Sequence, residues 1–305
     1  MWLLLAFLSA VLLGFYDVFK KKALRGNAVI PVLFLNTLFS SLLFLPFIVS
    51  SANGWLDSQS LFFTHSYGWE EHRYILLKSV IVLASWLCGY FGMKNLPITI
   101  VGPINATRPV MVLIGALTFL GERLDLWQWV GVSVAIISFW LMSRSGKKEG
   151  IDFKRDKWIV LVLLANVFGA VSGLYDRYLM APDGVGVGLD KMAVQSWYNI
   201  YQCGMMGLML LVMWWPNHKK TTPFHWDWSI PFISLFLSAA DFAYFYALSY
   251  DDAMISIVSM VRRGSVVVSF LFGAMLFKEK NLKAKIWDLI LVIISMIFLC
   301  IGSLY

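Results

Sequence analysis

Charge is scarce in this 305-residue sequence. Asp, Glu, Lys and Arg together make up 14% of it, against about 25% in an ordinary soluble domain. So little charge cannot cover a water-facing surface, which excludes a soluble enzyme of the usual kind. Cysteine is nearly absent. Cys88, Cys203 and Cys300 all sit inside apolar runs, so no disulfide framework or thiolate metal motif is present. The four histidines (His65, His72, His218, His225) fall in polar connections without ligand spacing, so no metal site is expected. No Gly-x-x-x-x-Gly-Lys-Ser/Thr run occurs, which argues against ATP hydrolysis. No cofactor is expected, and no catalytic residues can be assigned. Soluble-domain-sized polar stretches are lacking too.

What remains is apolar: 59% of the residues are hydrophobic and 16% aromatic. A helix needs about 20 apolar residues to cross the hydrocarbon core, and the sequence offers ten such stretches. The first five are Trp2–Phe19, Val29–Ser50, Tyr74–Met93, Ile98–Leu120 and Trp127–Met142. The second five are Trp158–Met180, Met192–Trp215, Ile230–Tyr250, Met254–Phe277 and Lys285–Leu304. The fold class predicted is an all-α polytopic membrane protein. The start, Met-Trp-Leu-Leu-Leu, lacks a basic region and reads as the first spanning helix. Only Ser51–Arg73 is long enough for a surface loop or interfacial segment.

The basic residues set an orientation. Connections after odd-numbered helices, with the helix ends that adjoin them, hold 17 of the 25 Lys and Arg residues, and those after even-numbered helices hold four. By the positive-inside rule the odd connections face the cytoplasm and both termini face outward, in what reads as a bacterial inner (plasma) membrane. The net charge of +7 is thereby explained without a nucleic-acid partner. The expected partners are the lipid bilayer and a small-molecule substrate, and the expected oligomeric state is a monomer or weak dimer.

Laid on itself at an offset of 157, the sequence shows an internal repeat. Val101-Gly-Pro-Ile-Asn-Ala-Thr-Arg-Pro109 aligns with the run that begins Val258-Ser-Met-Val-Arg-Arg-Gly-Ser265, and Gly121-Glu-Arg-Leu124 aligns with Lys278-Glu-Lys280. Gly14-Phe-Tyr-Asp17 matches Gly173-Leu-Tyr-Asp176. The divisions are residues 1–144, a basic linker 145–157, and 158–305. Five helices per copy is an odd number, so the second copy runs inverted, an architecture that places a site near the midplane.

On the Gly121-Glu-Arg-Leu124 corner before Trp127-Gln-Trp-Val-Gly131, and Phe277-Lys-Glu-Lys280 in the second half, the chain resembles the drug/metabolite transporter superfamily, specifically its ten-helix EamA-type members. The resemblance implies a central cavity lined mainly by helices 1, 3, 4, 6, 8 and 9, and an exporting transporter. Many members are drawn with cytoplasmic termini, whereas the lysines here argue for outward ones.

Charge at membrane depth is expensive, so Arg108, Arg262 and Arg263 single themselves out. Asn105 and Arg108, and in the second copy Arg262 and Ser265, are three apart and share a helix face. Both patches are expected to look into the bundle, where two guanidiniums suit a carboxylate or phosphate. Arg263, about 100° round the helix from Arg262, is expected to be the structural partner of an aspartate. Asp241, on one face with Tyr244, is a candidate for cargo contact or proton coupling, or the partner of an arginine. Tyr16-Asp17 and Tyr175-Asp176 are candidate gate residues. Gln195 and Asn199 (with Gln202) form a polar stripe that either touches cargo or holds helices together. Trp86 and Tyr90 either stack on a planar cargo or pack the core. Gly169 and Gly173 need only close helix packing, and Lys78 is expected to snorkel to the surface. The function expected is alternating-access transport of a small anionic or zwitterionic metabolite such as an amino acid or organic acid. A flippase for an anionic lipid or lipid-linked sugar is the alternative, and a membrane-embedded enzyme is a more distant one.

Overall fold

The computed structural model describes residues 2–108, 110–112, 125–147, 155–180, 186–248, 250, 258, 261–277 and 282–302. Ten helices follow one another within them: α1 Trp2–Ala23, α2 Val29–Ala52, α3 Trp69–Asn95, α4 Ile98–Ala106, α5 Leu126–Lys147, α6 Lys157–Met180, α7 Lys191–Met209, α8 Ser229–Leu248, α9 Ser265–Phe277 and α10 Leu282–Gly302. The described residues hold no β-sheet. Five of the helices are long and apolar enough to cross a membrane: α1, α2, α3, α6 and α8. The Gly121–Leu124 and Lys278–Lys280 corners, Pro109, and residues 254–257 at the start of the ninth predicted span lie outside the described residues. So do residues 148–154 of the predicted linker, whose ends, 145–147 and Lys157, belong to α5 and α6.

These apolar segments are rich in β-branched and aromatic residues that weakly favour helix in water. Lipid offers no hydrogen-bonding partner to the backbone, so the helix, which satisfies its own N–H and C=O groups, is the available form. Their starts are set by aspartates just outside. Asp156 accepts from Trp158 N at 2.8 Å, Asp190 from Met192 N at 2.8 Å, and Asp227 from Ser229 N at 2.7 Å. Burial raises the Asp227 carboxyl, but the bond from Ser229 and nearby Lys22 and His225 outweigh it and hold the group below its ordinary value. At the far end of α7 the chain loosens into a π-turn, Leu210–Trp214, and a short 3-10 turn. The predicted seventh span was therefore right in extent but is not α-helical to its end.

Helix packing follows a simple exchange rule. α3 packs on α6 and α1 on α8; α2 packs on both α7 and α8, and α3 on α7; α1 packs on α9 and α4 on α6. Replacing helix n by n+5, or the reverse, converts each of these pairs into another of them or into itself. The pairs α4 with α9 and α5 with α10 are likewise self-matched. Exposed Trp55 and Trp69 flank the α2–α3 connection, and exposed Trp215 and Trp228 flank the α7–α8 connection, the positions of an interfacial aromatic belt.

Candidate functional site

The backbone of the site is built twice. Helix α4 is interrupted at Thr107, whose N–H donates to Ile104 O (3.1 Å) while Val110 N donates to Thr107 O (3.0 Å). At an offset of 157, Gly264 N donates to Val261 O (2.9 Å) and Val267 N to Gly264 O (3.0 Å). Both are i→i−3 bonds, the tighter 3-10 pattern that marks special sites within long helices. Pro109 explains the first interruption: it has no N–H to give to the Asn105 carbonyl. The arginines stand beside these two breaks, Arg108 just after Thr107, and Arg262 and Arg263 just before Gly264.

Around them lies a cavity of about 160 Å³. Its walls come from α1, α3, α4, α6 and α8, with Arg262 and Arg263 ahead of α9 and Tyr198 from α7. Of the residues expected at the site, Tyr16, Asp17, Trp86, Tyr90, Asn105, Arg108, Asp176, Asp241, Tyr244 and Arg262 line it.

Three ion pairs organise its charge. Lys20 Nζ meets Asp17 Oδ1 at 2.6 Å and sits 4.2 Å from the centre of the Tyr16 ring. Lys78 pairs with Asp176. Arg262 pairs with Asp241, whose second oxygen accepts from Tyr198 OH at 2.8 Å, and its guanidinium lies 4.3 Å from the centre of the Tyr244 ring. The first two pairs stand toward opposite ends of the cavity. Lys20 lies near Tyr90, and the twelve helical steps of α3 from Lys78 to Tyr90 span about 18 Å. Asp17 and Asp176 are thus buried members of end pairs, not solvated anchors.

Arg108 is held differently. Its Nε donates to Asn166 Oδ1 at 3.2 Å, and Asn166 Nδ2 donates to Ile104 O at 3.1 Å, so a neutral amide fixes the stem. The guanidinium rests against Gly169, where a Cβ would overlap it. Neither Nη has a hydrogen-bond partner among the described residues, and no carboxylate pairs with it there. Arg263 lines the same cavity and likewise has no ion-pair partner among the described residues.

Several expectations need correction. Arg262, not Arg263, takes the aspartate, because Asp241 of α8 and the Tyr244 ring both meet the Arg262 guanidinium, while both arginines line the cavity. Lys78 does not snorkel: at 2% exposure it is buried against Asp176, a counter-ion nearer than the interface. Gly169 is a seat for a guanidinium as well as a helix contact. Gln195 and Asn199 lie off the cavity. Gln195 Nε2 donates to Ser238 O (3.1 Å), and Asn199 O accepts from Ser41 (2.9 Å), so this stripe joins α2, α7 and α8. Ser265 is also off the cavity, buried where α9 crosses Gly14. Tyr175 bonds Tyr74 O (3.4 Å) outside it. Lys20, Asn166 and Tyr198 were overlooked. A lone Asn inside the apolar run of α6 was the available signal for Asn166, and Tyr198 stands beside the polar stripe of α7.

Such a cavity, cationic and enclosed by apolar helices, has the form of a carrier's binding chamber. A match to one known family runs across the first five helices. Residues 1–144 match the EamA-like transporter family. This match and the long apolar helices support an integral, multi-pass membrane protein. A solved structure, described only as the crystal structure of a protein, is similar to it with a TM-score of 0.63 at 12% identity, over 97% of this chain and 95% of that one. At that identity the likeness concerns the fold alone. No curated protein matches the chain. The cavity is lined from the helices that the resemblance implied, with Tyr198 of α7 in addition.

Proposed function

We propose that the protein is a secondary transporter that exports or exchanges a small anionic or zwitterionic metabolite, by alternating access between two inverted five-helix repeats. The observation that carries this reading is Arg108: a buried guanidinium, seated on Gly169 and steered by Asn166, that keeps its Nη donors for a ligand. A charge-assisted bond to a carboxylate or phosphate is what such a group makes best. The paired 3-10 turns at Thr107 and Gly264 support a rocking motion, since each lies where a helix can bend without losing its neighbours. The Lys20–Asp17 and Lys78–Asp176 pairs would serve as end closures, one released as the other holds. Outward termini follow from the lysine distribution, and a reporter at the C-terminus would test them.

The test is a thermal-shift screen of the purified protein with a charge-sorted metabolite panel, followed by counterflow in proteoliposomes with the hits. Anions or zwitterions should stabilise the protein and exchange across the vesicle membrane. Stabilisation by cations or apolar compounds alone would overturn the reading. Gly169→Ala should displace the Arg108 guanidinium and lower anion affinity about tenfold, or about 1.4 kcal/mol. Gly204→Ala, where a Cβ meets nothing within 4 Å, should leave it unchanged. Equal affinities in the two variants would remove Arg108 from the binding site.

A further inference from the structure

The charges of the cavity do not cancel. Each of its three aspartates is taken by one basic partner, and two arginines, Arg108 and Arg263, are left over among the described residues. Their own helices cannot supply a counter-ion, since no Asp or Glu occurs between residues 101 and 115 or between 256 and 270. Nor can either shed its charge, because a guanidinium stays protonated in proteins. The two repel one another across the cavity, and Arg262 adds to that repulsion. Buried charges are ordinarily paired, so an unmatched pair of guanidiniums in one cavity describes the ligand that completes it.

We propose that Arg108 and Arg263 form a receptor for a dianion, that is, a dicarboxylate or a phosphomonoester. This deepens the anion reading above and rests on it. A zwitterion would leave the excess untouched and bring an ammonium group into a chamber already cationic. A monoanion would leave one guanidinium unmatched. Two negative charges restore neutrality without disturbing the three internal pairs. Arg262 contributes field and a cation–π contact with Tyr244 while its charge is balanced by Asp241 through Nη2, its Nε having no hydrogen-bond partner among the described residues. The ligand's charges therefore fall on Arg108 and on Arg263, the neighbour that sequence spacing alone would have assigned to structure.

Matched probes separate charge from size. Binding of succinate, of succinamate (in which one carboxylate is an amide) and of methyl phosphate is measured by thermal shift and calorimetry at pH 7.5. Succinate or methyl phosphate should bind at least about tenfold more tightly than succinamate, and whichever dianion binds better identifies the source. Arg263→Gln should erase that preference while keeping succinamate affinity near its native level, and Arg263→Lys should retain most of it. If Arg263→Gln does not fold, the probe comparison in the native protein and in Arg263→Lys decides alone. Succinamate binding as tightly as succinate would overturn the dianion proposal and leave the anion reading standing. Failure of all three probes would overturn both.

Discussion

Arg108→Gln is expected to lower anion affinity and exchange about tenfold to a hundredfold while leaving the protein as stable as before, or more stable. The loss follows from removing a charged donor facing the ligand, since hydrogen bonds to charged groups contribute about 1.5–3 kcal/mol. The stability effect has the opposite sign because Arg108 has no carboxylate partner among the described residues and is repelled by Arg262. Gln keeps a donor for Asn166 and removes the repulsion. Transport by counterflow and unfolding temperature in the same detergent would be measured side by side. A variant that loses both together would mark Arg108 as a structural residue, and the site would have to be sought elsewhere in the chamber.

Asp241→Leu should do the reverse. Asp241 takes Arg262 on one oxygen and Tyr198 OH at 2.8 Å on the other. Its removal leaves a third arginine unmatched beside Arg108 and Arg263. Breaking a buried pair from one side costs about 3–5 kcal/mol, whereas replacing both partners by apolar residues is often neutral. The double variant Asp241→Leu, Arg262→Met should therefore recover most of the unfolding temperature that the single variant loses. No recovery would mean that the aspartate stabilises the protein through Tyr198 instead, which Tyr198→Phe would then reproduce.

How much of this could be read from residues alone depended on the range of the interactions. The ten helices were legible because each is a local property of some twenty residues. Their ends differ where polar residues extend a turn beyond the apolar run, as Trp69–Arg73 does at the start of α3, and where the turns at Thr107 and Gly264 interrupt the fourth and ninth spans. The place of Arg108 on the cavity was legible too, since an arginine inside an apolar run is costly unless it faces the interior. Partner choice was not legible. Lys78 and Asp176 are 98 residues apart in sequence, and nothing near either announces the other. The assignment of Arg262 and Arg263 failed for the same reason: Asp241, which takes Arg262, stands on another helix 21 residues away in sequence. The stripe Gln195–Asn199 was recognised as polar, but its facing helix, α2, supplies Ser41, and that contact places it outside the cavity.

The unmatched cations have an electrical consequence. A charge that moves through a bilayer exchanges about 2.3 kcal/mol with every 100 mV of membrane potential, scaled by the fraction of the field it crosses. If the chamber takes a dianion as proposed, being neutral when occupied and doubly positive when vacant would make one half of the cycle indifferent to voltage and the other sensitive to it. In a membrane that is negative inside, the vacant carrier would be drawn toward opening inward. The potential would then set where an idle carrier waits and not how strongly a loaded one is driven, so the carrier would rectify without consuming any ion of its own.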